Sequence, residues 1–280
     1  MSSLADLAEL VRAPAALSVP GDVLAGAAAA GTLDRRTPAL AGASVLLYWA
    51  GMAANDWADR RLDAVERPDR PIPSGRVSPP AAFGLAAGLT VAGVALARAA
   101  GGRRATAVAV PLATAVWGYD LAAKSTPAGP AVMAACRGLD VLLGASGGRV
   151  ARALPAALTV AAHTWTVTAL SRREVTGADR RLPRATLAGT AVVAATALGR
   201  ADPVPVALAA GYATRYARAQ AKVLADPSPG RVRAAVAAGI TGLPALQGAL
   251  TARAGARLLG IAVAAAAPLG RGLARLVSPT

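Results

Sequence analysis

Apolar runs of about 17 to 20 residues alternate with short polar segments along this chain, and the alternation predicts its elements. Candidate helices occupy residues 15–31, 38–54, 80–97, 105–121, 131–148, 153–170, 185–199, 203–219 and 234–251, with a shorter apolar piece at 258–269. Helices of this length approach the hydrocarbon thickness of a bilayer. The expected fold is therefore all-α, a polytopic membrane helix bundle of about nine transmembrane helices forming one domain over 1–280. Residues 1–11 mix Asp6 and Glu9 with leucines and lack a basic leading stretch, so they read as an amphipathic surface helix and not as a cleaved signal peptide. Longer polar segments fall at 55–79, 120–130, 171–184 and 220–233, all on one side of the membrane in a nine-span chain. Gly84 and Gly88, four apart in the third span, have the spacing of a close helix contact in lipid.

Composition sharpens this picture. Hydrophobic residues make up 55% of the chain but aromatics only 3%, so the apolar mass is mostly Ala, Val and Leu, and weakly lipophilic Ala blurs the span ends. A net charge of +15 suggests a nucleic-acid partner, but its distribution argues against one. With the N-terminus cytoplasmic, 17 Arg and Lys fall on that side and 8 on the other. This is the inside-positive bias that orients membrane proteins. The expected location is the cell membrane, with the N-terminus and the acidic loops cytoplasmic. Cys136 stands alone, which excludes an intrachain disulfide.

The densest chemistry lies where the second span ends, in Asn55-Asp56-Trp57-Ala58-Asp59-Arg60-Arg61-Leu62-Asp63. Asn55, Asp59 and Asp63 drift by only about 80° around a helix, so they share a face, with Asp56 close to it. Oxygen ligands in such a row suit Mg²⁺, which is usually shared between carboxylates and substrate phosphates. Arg67, Arg70 and Arg76 follow at once, and guanidinium forks suit phosphate. An ordinary solvated loop seldom needs both sets side by side.

Asn55-Asp56-x-x-Asp59-x-x-x-Asp63 followed by Arg70-Pro71-Ile72-Pro73-Ser74-Gly75 resembles the first signature of the UbiA superfamily of intramembrane prenyltransferases. The resemblance extends to the nine-helix plan and so to essentially the whole chain. It implies that Asn55, Asp56, Asp59 and Asp63 bind Mg²⁺ and through it the diphosphate of an isoprenyl donor. Asp59 and Asp63 would be the catalytic acids, and Arg67, Arg70, Lys124 and Arg173 would hold the diphosphate. Tyr119 and Lys124 match a Tyr and a Lys that the family carries after its fourth helix. The acceptor is a small aromatic or other electron-rich molecule that the sequence does not name.

The second acidic motif departs from the family pattern. Ser171-Arg172-Arg173-Glu174-Val175-Thr176-Gly177-Ala178-Asp179 keeps two acids five positions apart, which share no helical face unless Gly177 breaks the helix. Glu174 and Asp179 are the remaining candidates for a second metal-binding motif. This variant resembles the EboC-like branch of the superfamily. It leaves a competing expectation, a lipid transporter or non-catalytic membrane protein of the same fold. A soluble terpene synthase also uses Asp-rich helices and Mg²⁺, but the repeated spans oppose it.

Arg137 and Asp140 lie inside the fifth span, where charges are costly and usually face a bundle interior or a cavity. Their spacing permits a mutual pair, and they join Tyr119 as candidate pocket residues. Asp22 in the first span poses the same question with no partner in sequence. His163, the only histidine, is expected to pack or hydrogen-bond, and Trp117, Trp165 and Tyr48 to pack or line a pocket.

Overall fold

The computed structural model of the chain describes residues 3–198 and 202–266. Ten α-helices and no strands occur among them. They are α1 (Leu4–Leu10), α2 (Pro20–Ala30), α3 (Thr37–Glu66), α4 (Pro79–Gly118), α5 (Gly129–Gly144), α6 (Leu154–Ser171), α7 (Arg181–Ala197), α8 (Pro203–Ala225), α9 (Pro229–Arg253) and α10 (Arg257–Ala266). Proline opens α2 to α6, α8 and α9, where its fixed φ suits the first turn and no helical N–H is lost. Arg200 and residues 267–280, which include arginines in the charge count and the end of the expected tenth piece, lie outside the described residues.

The two spans expected at 80–97 and 105–121 belong to one element, α4, that doubles back. Gly102 has φ 63° and ψ −150°, a conformation that a side chain would strain. Beyond it the Trp117 indole donates to Thr90 at 3.0 Å, and the rings of Phe83 and Trp117 lie 5.9 Å apart. In a straight helix residues 90 and 117 would be separated by about 40 Å. The two limbs of α4 are therefore antiparallel, as two separate helices would be.

The first expected span is realised differently, as a 3₁₀ segment (Ala13–Ser18) that leads into an α2 of only 11 residues. By length and hydropathy, Thr37–Glu66, Pro79–Ala123, Val150–Ser171 and Pro229–Arg253 are each apolar and long enough to cross a membrane. The other helices are shorter or carry more charge. They complete the bundle through packing, with a core of mostly small residues in two main clusters, one among α6 to α9 and one among α2 to α5.

Small residues let helices touch, but not at the glycines expected. Gly84 and Gly88 face open space. The close approach is between α2 and α5, where a Cβ on Gly26 would collide with the Val141 carbonyl and one on Gly144 with that of Val23. His163 hydrogen-bonds the Tyr212 hydroxyl at 2.9 Å in the buried core, and Trp165 is largely exposed.

Candidate active site

The acidic row occupies the last turns of α3. Relative to Asn55, Asp59 lies at about 40°, Asp63 at about 80° and Asp56 at about 100° around the helix. Their partners divide the row, Asp56 and Asp63 meeting one cation and Asn55 and Asp59 meeting residues 120 and 124. One guanidinium bridges that pair, Arg70 Nη1 donating to Asp63 at 2.7 Å and to Asp56 at 3.2 Å. Arg67 adds a looser contact to Asp63 at 3.6 Å. Lys124 Nζ approaches Asp59 at 2.6 Å, and Asn55 donates to Asp120 at 3.1 Å.

The loop that delivers Arg70 is a compact turn. Ile72 and Val77 are buried with Ala53 and Ala54 of α3. Ser74 N–H donates to Arg70 O and Val77 N–H to Pro71 O, while Gly75 takes φ 76°. Anchoring on both sides of the turn fixes Arg70 above the two carboxylates. Arg76 points the other way and holds α1 through Glu9 at 2.6 Å and Asp6 at 2.9 Å. The Ser3 hydroxyl and N–H, aided by Arg76, hold the half-buried Asp6 carboxyl down at about 2.

Pinning α1 has a consequence at the site. Arg12, just after it, adopts φ 48° and ψ 51°, a left-handed conformation that costs a side-chain-bearing residue about 1 kcal/mol or more. Its guanidinium donates to Asp56 at 3.0 Å. Arg12 and Asp120 were missed as site residues in the sequence. Nothing local marks Arg12, whereas Asp120 sits inside the Tyr119-to-Lys124 stretch, here a π-helical turn (Tyr119–Ala123).

The second motif comes to the same end of the bundle. Arg172 donates to the backbone carbonyls of Lys124 at 3.1 Å and Thr126 at 2.7 Å, and Arg233 donates to Glu174 O at 2.9 Å. Through Lys124 the loop around 174 is one residue removed from Asp59. The helix ends earlier than Gly177, at Ser171, so Glu174 already lies in a turn, and Gly177 takes φ 79° further along the loop. Asp179, however, accepts the Leu182 N–H at 2.9 Å and so caps α7, and the side chains of Glu174 and Arg173 form no ion pair among the described residues. The acids of the second motif border the cluster without joining it.

Below the cluster lies a cavity of about 280 Å³ between α3, the second limb of α4 and α5. Arg12, Asn55, Tyr119 and Asp120 line its mouth, and Leu47, Met52, Val116 and Met133 its walls. Ser44, Tyr48, Arg137 and Asp140 line the deep end. The expected Arg137–Asp140 pair is not the one formed. Arg137 Nε lies 2.8 Å from Asp22, which gives that buried acid its missing partner, and Ser44 donates to Asp140 at 2.5 Å. Gln247 of α9 donates to Asp22 at 2.6 Å.

These features define a polytopic membrane protein with a mixed acid and guanidinium site over an apolar cavity inside its bundle. The chain belongs to the UbiA prenyltransferase family, which it matches over residues 18–237. Curated relatives include the digeranylgeranylglyceryl phosphate synthases of Methanothrix thermoacetophila, 43% identical over 32% of this chain and 35% of the relative, and of Methanopyrus kandleri, 38% identical over 39% and 38%. The matched segment thus spans little more than a third of those relatives. Among solved structures, one of a digeranylgeranylglyceryl phosphate synthase has a TM-score of 0.69 at 17% identity, covering 89% of this chain and 97% of that one. A UbiA homolog from Aeropyrum pernix reaches 0.65 at 19% identity, covering 88% and 96%. At these identities the likeness is one of fold.

Proposed function

We propose that the protein is a membrane prenyltransferase that moves the prenyl group of an isoprenyl diphosphate onto an electron-rich acceptor, with Mg²⁺ as cofactor. The observation that carries this reading is the Arg70 bridge between Asp56 and Asp63, beside the Lys124–Asp59 pair and over an apolar cavity. Carboxylates held by cations within reach of a lipophilic chamber suit a ligand with an anionic head and a greasy tail.

The donor set fits the metal. Asn55, Asp56, Asp59, Asp63 and Asp120 offer only oxygen ligands, as a hard cation requires. Among the described residues no three acids converge closely enough to hold a metal unaided, which suits an ion shared with diphosphate oxygens. Glu174 is the remaining candidate from the second motif. When bound, Mg²⁺ would neutralise charge developing on the diphosphate.

The residues supply the rest. Arg70, Arg67, Arg12 and Lys124 can turn from their carboxylates to the diphosphate and stabilise it as the allylic C1–O bond breaks and its electron pair departs with oxygen. Leu47, Val116 and Met133 keep water from the prenyl cation. The acceptor attacks C1 and releases a proton. The inside-positive arginines support a cytoplasmic site.

Labelled geranyl, farnesyl and geranylgeranyl diphosphates with a panel of acceptors test the reading in Mg²⁺ and in EDTA. Mg²⁺-dependent formation of a prenylated product is expected. Diphosphate binding without turnover on any acceptor would favour transport instead. A reporter inserted at residue 65 is expected to be cytoplasmic.

A further inference from the structure

The deep end of the cavity carries polar chemistry that a prenyl tail cannot use. Arg137 has its side chain 13% exposed and lines the cavity, and beyond the Nε pair with Asp22 its guanidinium has no hydrogen-bond partner among the described residues, so its accessible part keeps donor capacity. Asp140 faces the same space and accepts only from Ser44 among the described residues, which leaves acceptor capacity on its carboxylate. Tyr48 lines the same stretch. Ser44 and Asn55 are eleven residues apart on α3, so this end lies about 16 Å from the acidic cluster.

A hydrocarbon chain seated here would leave donor and acceptor unmatched, which is why buried polar groups normally find partners. An anion would meet the guanidinium but also the Asp140 carboxylate. A hydroxyl does what neither can, since it accepts from one neighbour and donates to another. We propose that Arg137 and Asp140 form a hydroxyl-recognising subsite for the end of the acceptor remote from the prenylated atom. This rests on the prenyl-transfer reading and narrows the acceptor to a compact, hydroxyl-bearing molecule that spans the cavity from C1 of the donor to its deep end. Arg137 and Asp140 then act as specificity residues, far from the bond that breaks.

The test uses the full chain in nanodiscs with Mg²⁺ and geranylgeranyl thiolodiphosphate, which binds as donor without reacting. Calorimetry first measures donor binding, then binding of 4-methylphenol, 4-(hydroxymethyl)phenol and 4-hydroxyphenylacetate. The hydroxymethyl compound is expected to bind about tenfold or more tightly than its methyl counterpart, and more tightly than the carboxylate, because a site built for a hydroxyl penalises its absence. In Asp140→Asn and Arg137→Lys the preference is expected to fall below about threefold with donor affinity unchanged, whereas Gly84→Ala, in open space away from the cavity, keeps it. Equal binding of the methyl and hydroxymethyl compounds to the native protein with donor bound would overturn the proposal, as would tighter binding of the carboxylate. Should a variant lose donor binding through misfolding, the native comparison still decides. Failure of the native protein to bind the thiolodiphosphate would instead overturn the prenyl-transfer reading.

Discussion

Replacing Arg70 by Ala isolates the balance of charge at the site. Arg70 is 22% exposed, while Asp63 and Asp56 are 3% and 6% exposed. Removing one partner of a buried ion pair costs about 3–5 kcal/mol, because the other charge stays buried and unpaired. Two residual contacts reduce that. Arg67 remains 3.6 Å from Asp63, though its side chain is 58% exposed, and an exposed pair of that kind is worth about 1 kcal/mol at most. Arg12 remains on Asp56. The expected loss is therefore about 2–4 kcal/mol in EDTA. Mg²⁺ is expected to return part of it, since the ion can take the place of the missing guanidinium between the two carboxylates. At a hundredfold excess over its dissociation constant it would restore about 2.7 kcal/mol. Reversible denaturation in mixed micelles, with and without Mg²⁺, measures both quantities, with Arg61→Ala as the control at an exposed cation. An Arg70→Ala protein as stable as the native one in EDTA would refute the bridge. Equal stabilisation of both by Mg²⁺ would refute the idea that metal and Arg70 compete for the same oxygens.

Asp59→Asn is expected to abolish Mg²⁺-dependent binding of an isoprenyl diphosphate, and Lys124→Ala to weaken it by about tenfold or more; calorimetry with the thiolodiphosphate measures both, and unchanged binding in Asp59→Asn would count against the site. The latch between α1 and Arg76 is expected to be acid-labile: the Asp6 pKa lies at about 2 in the folded protein against 3.8 unperturbed, so its contribution is complete above the higher value and lost as pH falls through the lower one. Amide protection factors in residues 4–10, corrected for the intrinsic pH dependence of exchange, should fall as pH drops through that window and stay flat from pH 5 to 8. Gly26→Ala is expected to destabilise the α2–α5 contact by about 2 kcal/mol or more, because the added methyl meets a backbone carbonyl, whereas Gly84→Ala, in open space, is expected to be neutral or slightly stabilising. Thermal unfolding of the two variants checks this, and equal effects would disprove the packing argument.

Sequence alone determined the features that depend on neighbours along the chain. Apolar runs marked the helices, and the ordered motif from Asn55 to Gly75 placed acids beside arginines, because helical periodicity and hydropathy are local properties. The shared side of the four polar loops was legible for the same reason, since each crossing reverses direction. The pairings were not. Asp22 sits 115 residues from Arg137 and Arg12 sits 44 from Asp56, so no periodicity links them. Only helix packing decided that Arg137 meets Asp22 and leaves Asp140 to Ser44, that Asp56 and Asp63 share Arg70, and that Gly26 and Gly144, rather than Gly84 and Gly88, carry the close contact. A charge buried within a membrane bundle takes whatever counter-charge the fold brings within reach, and that choice exists only once the helices are assembled.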